Sequence, residues 1–482
     1  MKKMSYLGLL AVLVLGFATA AQAADIKATG KWQIDASMSN DMDMNQVTKE
    51  NNFRIEQRIR TAFQFIANEN LKAVLDTQIG TNSWGNGQYQ IGSGRTSLEA
   101  GNNTAGGSSI MLRKAYIDYK WPGTSVNVLA GFQTVTLPTA FGTSSILDDQ
   151  VGALVVAAPI TDNVKVVAGY ARPYDSNTAG STATVQGNGT SGNVFFATVP
   201  VSLAGETNIT PFGVYANVGE QAAGANASGI TTLALGSNNT VRSDNVRAYW
   251  GGVAVSTKLL DPFKLMADVN YGSATYSSGD SRGRSGWLAD LAVDYTGLSF
   301  MTPEAFFVYT SGDDSGSHSD GGRMPVLGNP QGSIVGGSMF FGNTDMITRT
   351  AGSAASTSTT GAGGAVLNSM GFWTAGVALK DISFIDKLSH RVNLMYVQGT
   401  NDKDAFVGSA NTNAALYGSY LTTRDSLWEI DVNSKYKVYD ELSLMLNLGY
   451  INADLHHFNG VATSADLSDN AYRASLSMVY SF

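Results

Sequence analysis

The feature that most constrains this chain is an alternation of apolar and polar residues with a period of two, sustained over long segments from end to end. In FRIEQRIRTAFQF, Phe53, Ile55, Ile59, Phe63 and Phe65 share one face, while Arg54, Glu56, Arg58, Arg60 and Gln64 share the other. Read with a period of 3.6 the same stretch is an amphipathic helix, so one segment does not decide. The recurrence does. Trp287, Ala289, Leu291, Val293 and Tyr295 alternate with Asp290 and Asp294, and Trp428, Ile430 and Val432 with Glu429, Asp431 and Asn433. The final AYRASLSMVYSF sets Tyr472, Ala474, Leu476, Met478, Tyr480 and Phe482 against Arg473 and serines. These runs are longer than the roughly five or six residues usual in soluble sheets. Strands of about 9 to 11 residues, greasy on one face and with aromatic ends, mark a transmembrane barrel.

The connections alternate between short and long, which sets the orientation. Short turns at Ala67–Asn70, Pro122–Thr124, Pro159–Asn163, Ala204–Thr207, Leu259–Pro262, Gly297–Thr302, Ser383–Leu388 and Asp440-Glu441 contrast with long Gly/Ser/Thr/Asn-rich stretches. The longest stretch runs from Gly312 to Gly371. Short periplasmic turns and long outer loops are the outer-membrane pattern. The fold expected is therefore an all-β, antiparallel transmembrane barrel of about 16–18 strands with both termini in the periplasm. Two runs, Asn193–Leu203 and Glu304–Ser311, have ambiguous facing, so both counts stay open.

The amino terminus fits export. Lys2 and Lys3 precede an apolar run from Leu9 to Ala20 and an Ala21-Gln22-Ala23 cleavage site, giving a signal over residues 1–23 and a single barrel domain over 24–482. Cleavage after Ala23 removes two lysines and no acids, moving the formal net charge from −8 to −10. An acidic, exported chain without a basic tract is a poor nucleic-acid binder. It has no cysteine, so neither disulfides nor thiolate zinc sites are available.

At this point the sequence resembles a family. The ADIKATGKW start, RKAYIDY followed by VNVLAGFQTVTLPTAFG, and the closing Phe482 are similar to the trimeric bacterial outer-membrane porins, most of all the homotrimeric porins of sulfate-reducing bacteria. The resemblance implies a loop after the fifth strand, here Thr134–Gln150, that folds into the lumen as a constriction. Family members carry Pro-Glu-Phe-Gly-Gly there, whereas this chain has Pro138-Thr139-Ala140-Phe141-Gly142. It further implies a homotrimer in the bacterial outer membrane, in contact with lipid and passing ions and small hydrophilic solutes.

The chemistry expected is that of a lined channel. Arg54, Glu56, Arg58 and Arg60 belong to the water-facing side of their strand, joined by Lys72 and Asp76 and then by Lys114, Tyr116, Asp118 and Lys120 on the next two. Asp148 and Asp149 on the inserted loop would face this basic wall across the pore. Alternatively, the charges pair locally and merely solvate the wall. Phe482 is expected to close the barrel. Asp313, Asp314 and Asp320 form a weak calcium candidate on an outer loop; otherwise no metal or cofactor site is expected. Asp41, Asp43 and Asn45 begin like a calcium loop but lack its glycine and terminal glutamate. His456 and His457 have no nucleophile motif near them, so no enzyme is expected. The function expected is passive diffusion through a general porin. The alternatives are a substrate-specific porin for sugars or organic acids and a structural or adhesive surface barrel.

Overall fold

The computed structural model describes residues 25–41, 51–85, 110–175, 191–219, 245–276, 283–314, 321–327, 334–341, 371–405, 421–456 and 470–482. The signal segment, Asp43, Asn45, Asp320, His318 and His457 lie outside them.

Among the described residues, nineteen strands form one antiparallel sheet that closes on itself. They are β1 (Asp25–Asn40), β2 (Asn51–Asn68), β3 (Leu71–Ser83), β4 (Ile110–Lys120), β5 (Asn127–Thr136), β6 (Asp148–Pro159), β7 (Lys165–Asp175), β8 (Ser191–Thr198), β9 (Val201–Leu203) and β10 (Thr207–Val218). The ring continues through β11 (Val246–Leu260), β12 (Phe263–Tyr276), β13 (Arg284–Tyr295), β14 (Thr302–Thr310), β15 (Phe372–Ile385), β16 (Leu388–Gly399), β17 (Ser426–Lys437), β18 (Leu442–Asp454) and β19 (Asn470–Ser481). Both β8 and β9 pair with β10 and lie end to end, so the barrel has eighteen staves. The break falls at Pro200, which has no N–H to give the ladder. Lys165 donates to the Pro200 carbonyl at 3.0 Å and Val199 to that of Pro211 at 3.0 Å, so the wall stays sealed.

Closure occurs where the alternation at the two ends predicts it. β1 and β19 pair from Lys31↔Ser481 to Asn40↔Tyr472. The backbones of Gly30 and Phe482 exchange two further hydrogen bonds, at 2.7 and 3.0 Å. Residue 30 must be glycine, because a Cβ there would meet the Phe482 ring and the Arg60 carbonyl. Hydrocarbon offers no partner to an open sheet edge, so a complete ring is the only stable solution in lipid.

Facing follows the chemistry. Phe53, Phe65, Trp287, Leu291, Trp428, Leu446 and Leu476 point outward and are exposed, whereas Asp35, Glu56, Asp76, Asp268, Asp290, Glu429 and Arg473 point inward. The apolar core of the barrel therefore lies inside its lumen, in two clusters. One joins Leu137, Ile146, Leu147, Val326 and Leu327 to inward residues of β8, β10 and β11 such as Phe196, Val214 and Trp250. The other joins Phe141, Val335, Met339, Phe340 and Phe341 to inward Met266, Phe306, Val308, Met395 and Ile451. This explains the two ambiguous runs. Phe196 and Val308 face inserted chain while Phe195 and Phe307 face outward, so both faces of those strands are apolar.

A candidate permeation pathway

Two segments enter the lumen. The first is the body of the expected constriction loop, residues 137–147. Its Thr139 hydroxyl donates to Asp268 Oδ2 at 3.0 Å, and the Ala140 and Phe141 N–H groups donate to the same carboxylate at 2.9 Å. Asp268 faces inward from β12 and is 2% exposed, so the loop that leaves β5 docks on a distant stave. Glutamate is missing from the Pro138–Gly142 stretch, yet the segment is held by a carboxylate of the wall.

The second segment comes from the connection between β14 and β15, expected as an outer loop. Residues 323–327 and 334–341 turn inward instead. Trp250 Nε1 donates to the Pro325 carbonyl at 2.6 Å. Glu429 Oε1, on β17, accepts from Ser338 Oγ at 3.1 Å and from the N–H groups of Met339 and Phe340 at 2.6 and 2.9 Å. Asn393 and Asn433 donate to the carbonyls of Gly336 and Gly337 at 3.0 and 2.9 Å. The two segments also meet each other. Leu327 N–H donates to the Ile146 carbonyl at 2.7 Å, while the Phe141 ring stacks on Phe306 of the β14 wall at 5.7 Å. Gly142, at φ +69°, lies against the backbone of Ile334 so closely that no Cβ would fit.

The opposite arc stays polar. Arg54, Glu56, Arg58 and Arg60 alternate along the inward face of β2, opposite Ser37, Asp35, Gln33 and Lys31 of β1. Glu56 is 6% exposed and accepts from Ser83 Oγ at 3.3 Å, while Arg60 Nε donates to Gln78 Oε1 at 2.7 Å. Lys72 pairs with Asp118 at 3.1 Å, and Lys114 stands 4.0 Å from Asp76. Tyr116 and Asp118 share the inward face of β4, and Lys120 helps line a cavity of about 320 Å³ near the turns.

Sequence reasoning missed Arg113. A bulge in β4 between Lys114 and Leu112 turns it toward Asp76, 2.9 Å away. Asp148 and Asp149 stand just beyond the body of the inserted loop, and of the two only Asp149 shares the inward alternation of Val151 and Ala153. They open β6, opposite Thr136 and Val135. Asp148 shares the outward alternation of Leu154 and Val156, and its carboxylate accepts from Thr136 Oγ1 at 2.7 Å. The acids that do stand on the far side are Asp268, Asp290, Asp294, Glu304, Glu429 and Asp431. They occupy polar positions of alternating strands, which was the available signal. Lys380 bridges Asp294 and Glu304 at 2.6 and 2.8 Å, and Arg391 reaches Glu304 at 3.3 Å.

On the outer rim, the Asp313 carboxylate is taken up by arginines. It is 5% exposed and lies between Arg323 and Arg284, at 2.8 and 3.5 Å. Burial alone would push its carboxyl up, but the two guanidinium groups and the Arg323 N–H outweigh it and hold the carboxyl down at about 2. Asp314 is exposed, and no group of three or more acids or histidines is placed to hold a metal among the described residues.

The ring count, closure and inserted segments define the fold sufficiently for comparison. No protein-family model matches the sequence, and no curated protein sequence is significantly similar to it. Solved structures match over nearly the whole length: Acinetobacter baumannii OccAB4 with a TM-score of 0.52 at 10% identity, covering 95% of this chain and 98% of that one. The outer membrane protein OprD from Pseudomonas aeruginosa follows at 0.50 and 12%, covering 96% of each. The fold is that of an outer-membrane porin barrel. Pseudomonas aeruginosa OccK8 (OprE) also matches, at 0.50 and 12% over 95% and 98% of the two chains. At such identities the likeness is one of fold. It agrees with the coarse resemblance to bacterial outer-membrane porins, while these three structures come from Pseudomonas and Acinetobacter rather than from sulfate-reducing bacteria.

Proposed function

We propose that the chain forms a passive, water-filled channel across the bacterial outer membrane, and that the channel selects among small hydrophilic solutes. The observation that carries this is the pair of inserted segments. Eighteen strands leave room for an aqueous lumen, and here inserted apolar chain packs on inward residues from β5 round to β19. The inward charges left least covered are those of β2–β4, and the path for water runs along them. General diffusion, the broadest expectation, covers the passive mechanism. The narrowing favours the solute-selective alternative, with Arg54, Arg58, Arg60, Lys72, Lys114, Lys120 and Arg113 lining one side of the path. Nothing is consumed, so selection rests on width and on lining charge.

Single-channel recording in planar bilayers tests this. Small ohmic steps that candidate organic acids or sugars block support the reading. Large steps indifferent to solute favour the general porin, and silence favours a structural barrel.

The same reading includes export by a signal cleaved after Ala23 and a homotrimer. A thinning of the outward aromatic belt supports the trimer. Near the outer end, each stave from β7 to β19 presents an outward aromatic, among them Tyr170, Tyr215, Tyr249, Tyr396, Tyr450 and Tyr472. On β1, β3, β4 and β6 the equivalent places hold Met38, Ile79, Leu112 and Leu154, so the belt is reduced there to Phe53 of β2 and Phe132 of β5. Aromatic belts mark the lipid boundary, so this arc suits protein contact. Cross-linking through a cysteine at Leu112 should give a trimer ladder, whereas one at Trp428 should not. Equal cross-linking from both would reject the arc.

A further inference from the structure

Each inserted segment is gripped by a carboxylate with a second carboxyl directly beside it. Glu429 and Asp431 share the inward face of β17, and both are 1% exposed. Beyond the three donors on Glu429 Oε1, Asp431 Oδ1 accepts from the Met339 N–H at 3.1 Å. Their remaining oxygens, Glu429 Oε2 and Asp431 Oδ2, are buried without any donor, while the two side chains are in hydrogen-bonding contact. Ionised carboxylates are acceptors only, so two of them cannot bond to each other. Two like charges sharing one dry site also repel. A single proton between them satisfies both orphan oxygens. The charged group facing Asp431 from β16 is Arg391, whose guanidinium is held by Glu304 and Asn393 at 3.3 and 2.8 Å. From β18 the residues opposite are Ile451 and Gly449, both uncharged.

The other clamp repeats the arrangement. Asp290 on β13 lies opposite Asp268, is 7% exposed, and is hydrogen-bonded to it. The flanking staves offer Ala254 and Val308, and the segment offers only a hydroxyl and N–H groups.

We propose that Glu429–Asp431 and Asp268–Asp290 are positioning pairs, each holding one proton, so that proton occupancy in the wall sets the placement of both inserted segments. Removing that proton leaves adjacent buried carboxylates that repel, and the segment they grip is released. The channel reading matters only for the electrical part of the test.

The test uses the full-length barrel, refolded and checked for heat-modifiable migration. Amide hydrogen exchange at Met339 and Phe340 is followed from pH 6 to 10, corrected for intrinsic rate, alongside bilayer conductance. In the wild type, protection should fall at least about tenfold with a one-proton midpoint, and conductance should rise in step. Asp431→Asn keeps a donor between the two side chains and should stay protected throughout; Glu429→Gln does the same by a second route should the first not fold. Glu429→Ala should be unprotected at every pH, and Asp290→Asn should give the flat profile at Ala140 and Phe141. Wild-type protection that stays flat overturns the proposal, as does a fall that persists in Asp431→Asn and Glu429→Gln. If no variant conducts, the channel reading fails and exchange alone decides the pairs.

Discussion

The arcs β1–β4 and β12–β17 obey the same alternation but use their inward faces differently. On the first, inward Arg58, Arg60, Lys72 and Lys114 are only half buried, and the last three reach Gln78, Asp118 and Asp76 on their own arc. On the second, inward Asp268, Glu429 and Asp431 are nearly sealed, because an inserted segment lies on them. The difference is set by what each face meets. Where the face meets no inserted peptide, half-exposed cations stand beside acids that bond to side chains of the wall itself; where it does, acids accept the peptide's backbone N–H groups. Near-neighbour pairing in the first case is cheap to lose; a buried acceptor in the second is not.

Four measurements test that contrast. The largest effect should come from Phe340→Ala, because Phe340 is fully buried at 0% exposure and such truncations cost about 3–5 kcal/mol. The segment should undock, seen as a severalfold rise in conductance with the barrel still assembled; unchanged conductance would mean that the covered wall does not bound the pore. Acid should act next, on the rim. The Asp313 carboxyl is held down at about 2, so its contribution is present above the ordinary value near 4 and is lost as pH falls from there toward 2. With a shift of nearly two units this is about 2 kcal/mol, and limited proteolysis around Arg323 should accelerate between pH 4 and 2, but not above pH 5.

Arg58→Gln with Arg60→Gln should leave the fold intact and move the reversal potential toward cation preference. Each charge acts through lumen water, at about 1 kcal/mol or less near contact. Folded barrel with unaltered selectivity would show that these arginines only solvate the wall. Smallest of all, a double-mutant cycle on Lys72 and Asp118, whose side chains are 39% and 21% exposed, should return between about 0 and 1 kcal/mol. A larger coupling would place that pair in a drier environment than the arc provides.

Most of the wall was legible. The alternation gave the staves, the turn chemistry the rims, and the first and last runs the closure through Phe482. What was not legible depends on partners far away in sequence. Val335, Met339, Phe340 and Phe341 sit in a long Gly/Ser-rich connection, and nothing local distinguishes an apolar patch that docks inside from one on an outer loop. The unused clue was the set of strands apolar on both faces, since Phe196 and Val308 needed something greasy within the barrel. Arg113 escaped because a bulge changes which side chain faces inward, and no residue in IMLRKAY announces one. The sequence alone leaves Asp148 and Asp149 with the loop because the strand edge is invisible where polar residues continue across it; once they open β6, the alternation sends Asp148 outward.

The bond between Gly30 and Phe482 has a consequence for how the molecule comes to exist. Every other stave pairs with its neighbour in the chain, so those hairpins are local and can form early. The β1–β19 joint links residues 452 positions apart, and non-local pairing demands its loop entropy before it returns any bonding. The local hairpins can therefore be in place while the molecule is still an open sheet, and the ring is complete only when its two most distant staves meet at Gly30 and Phe482.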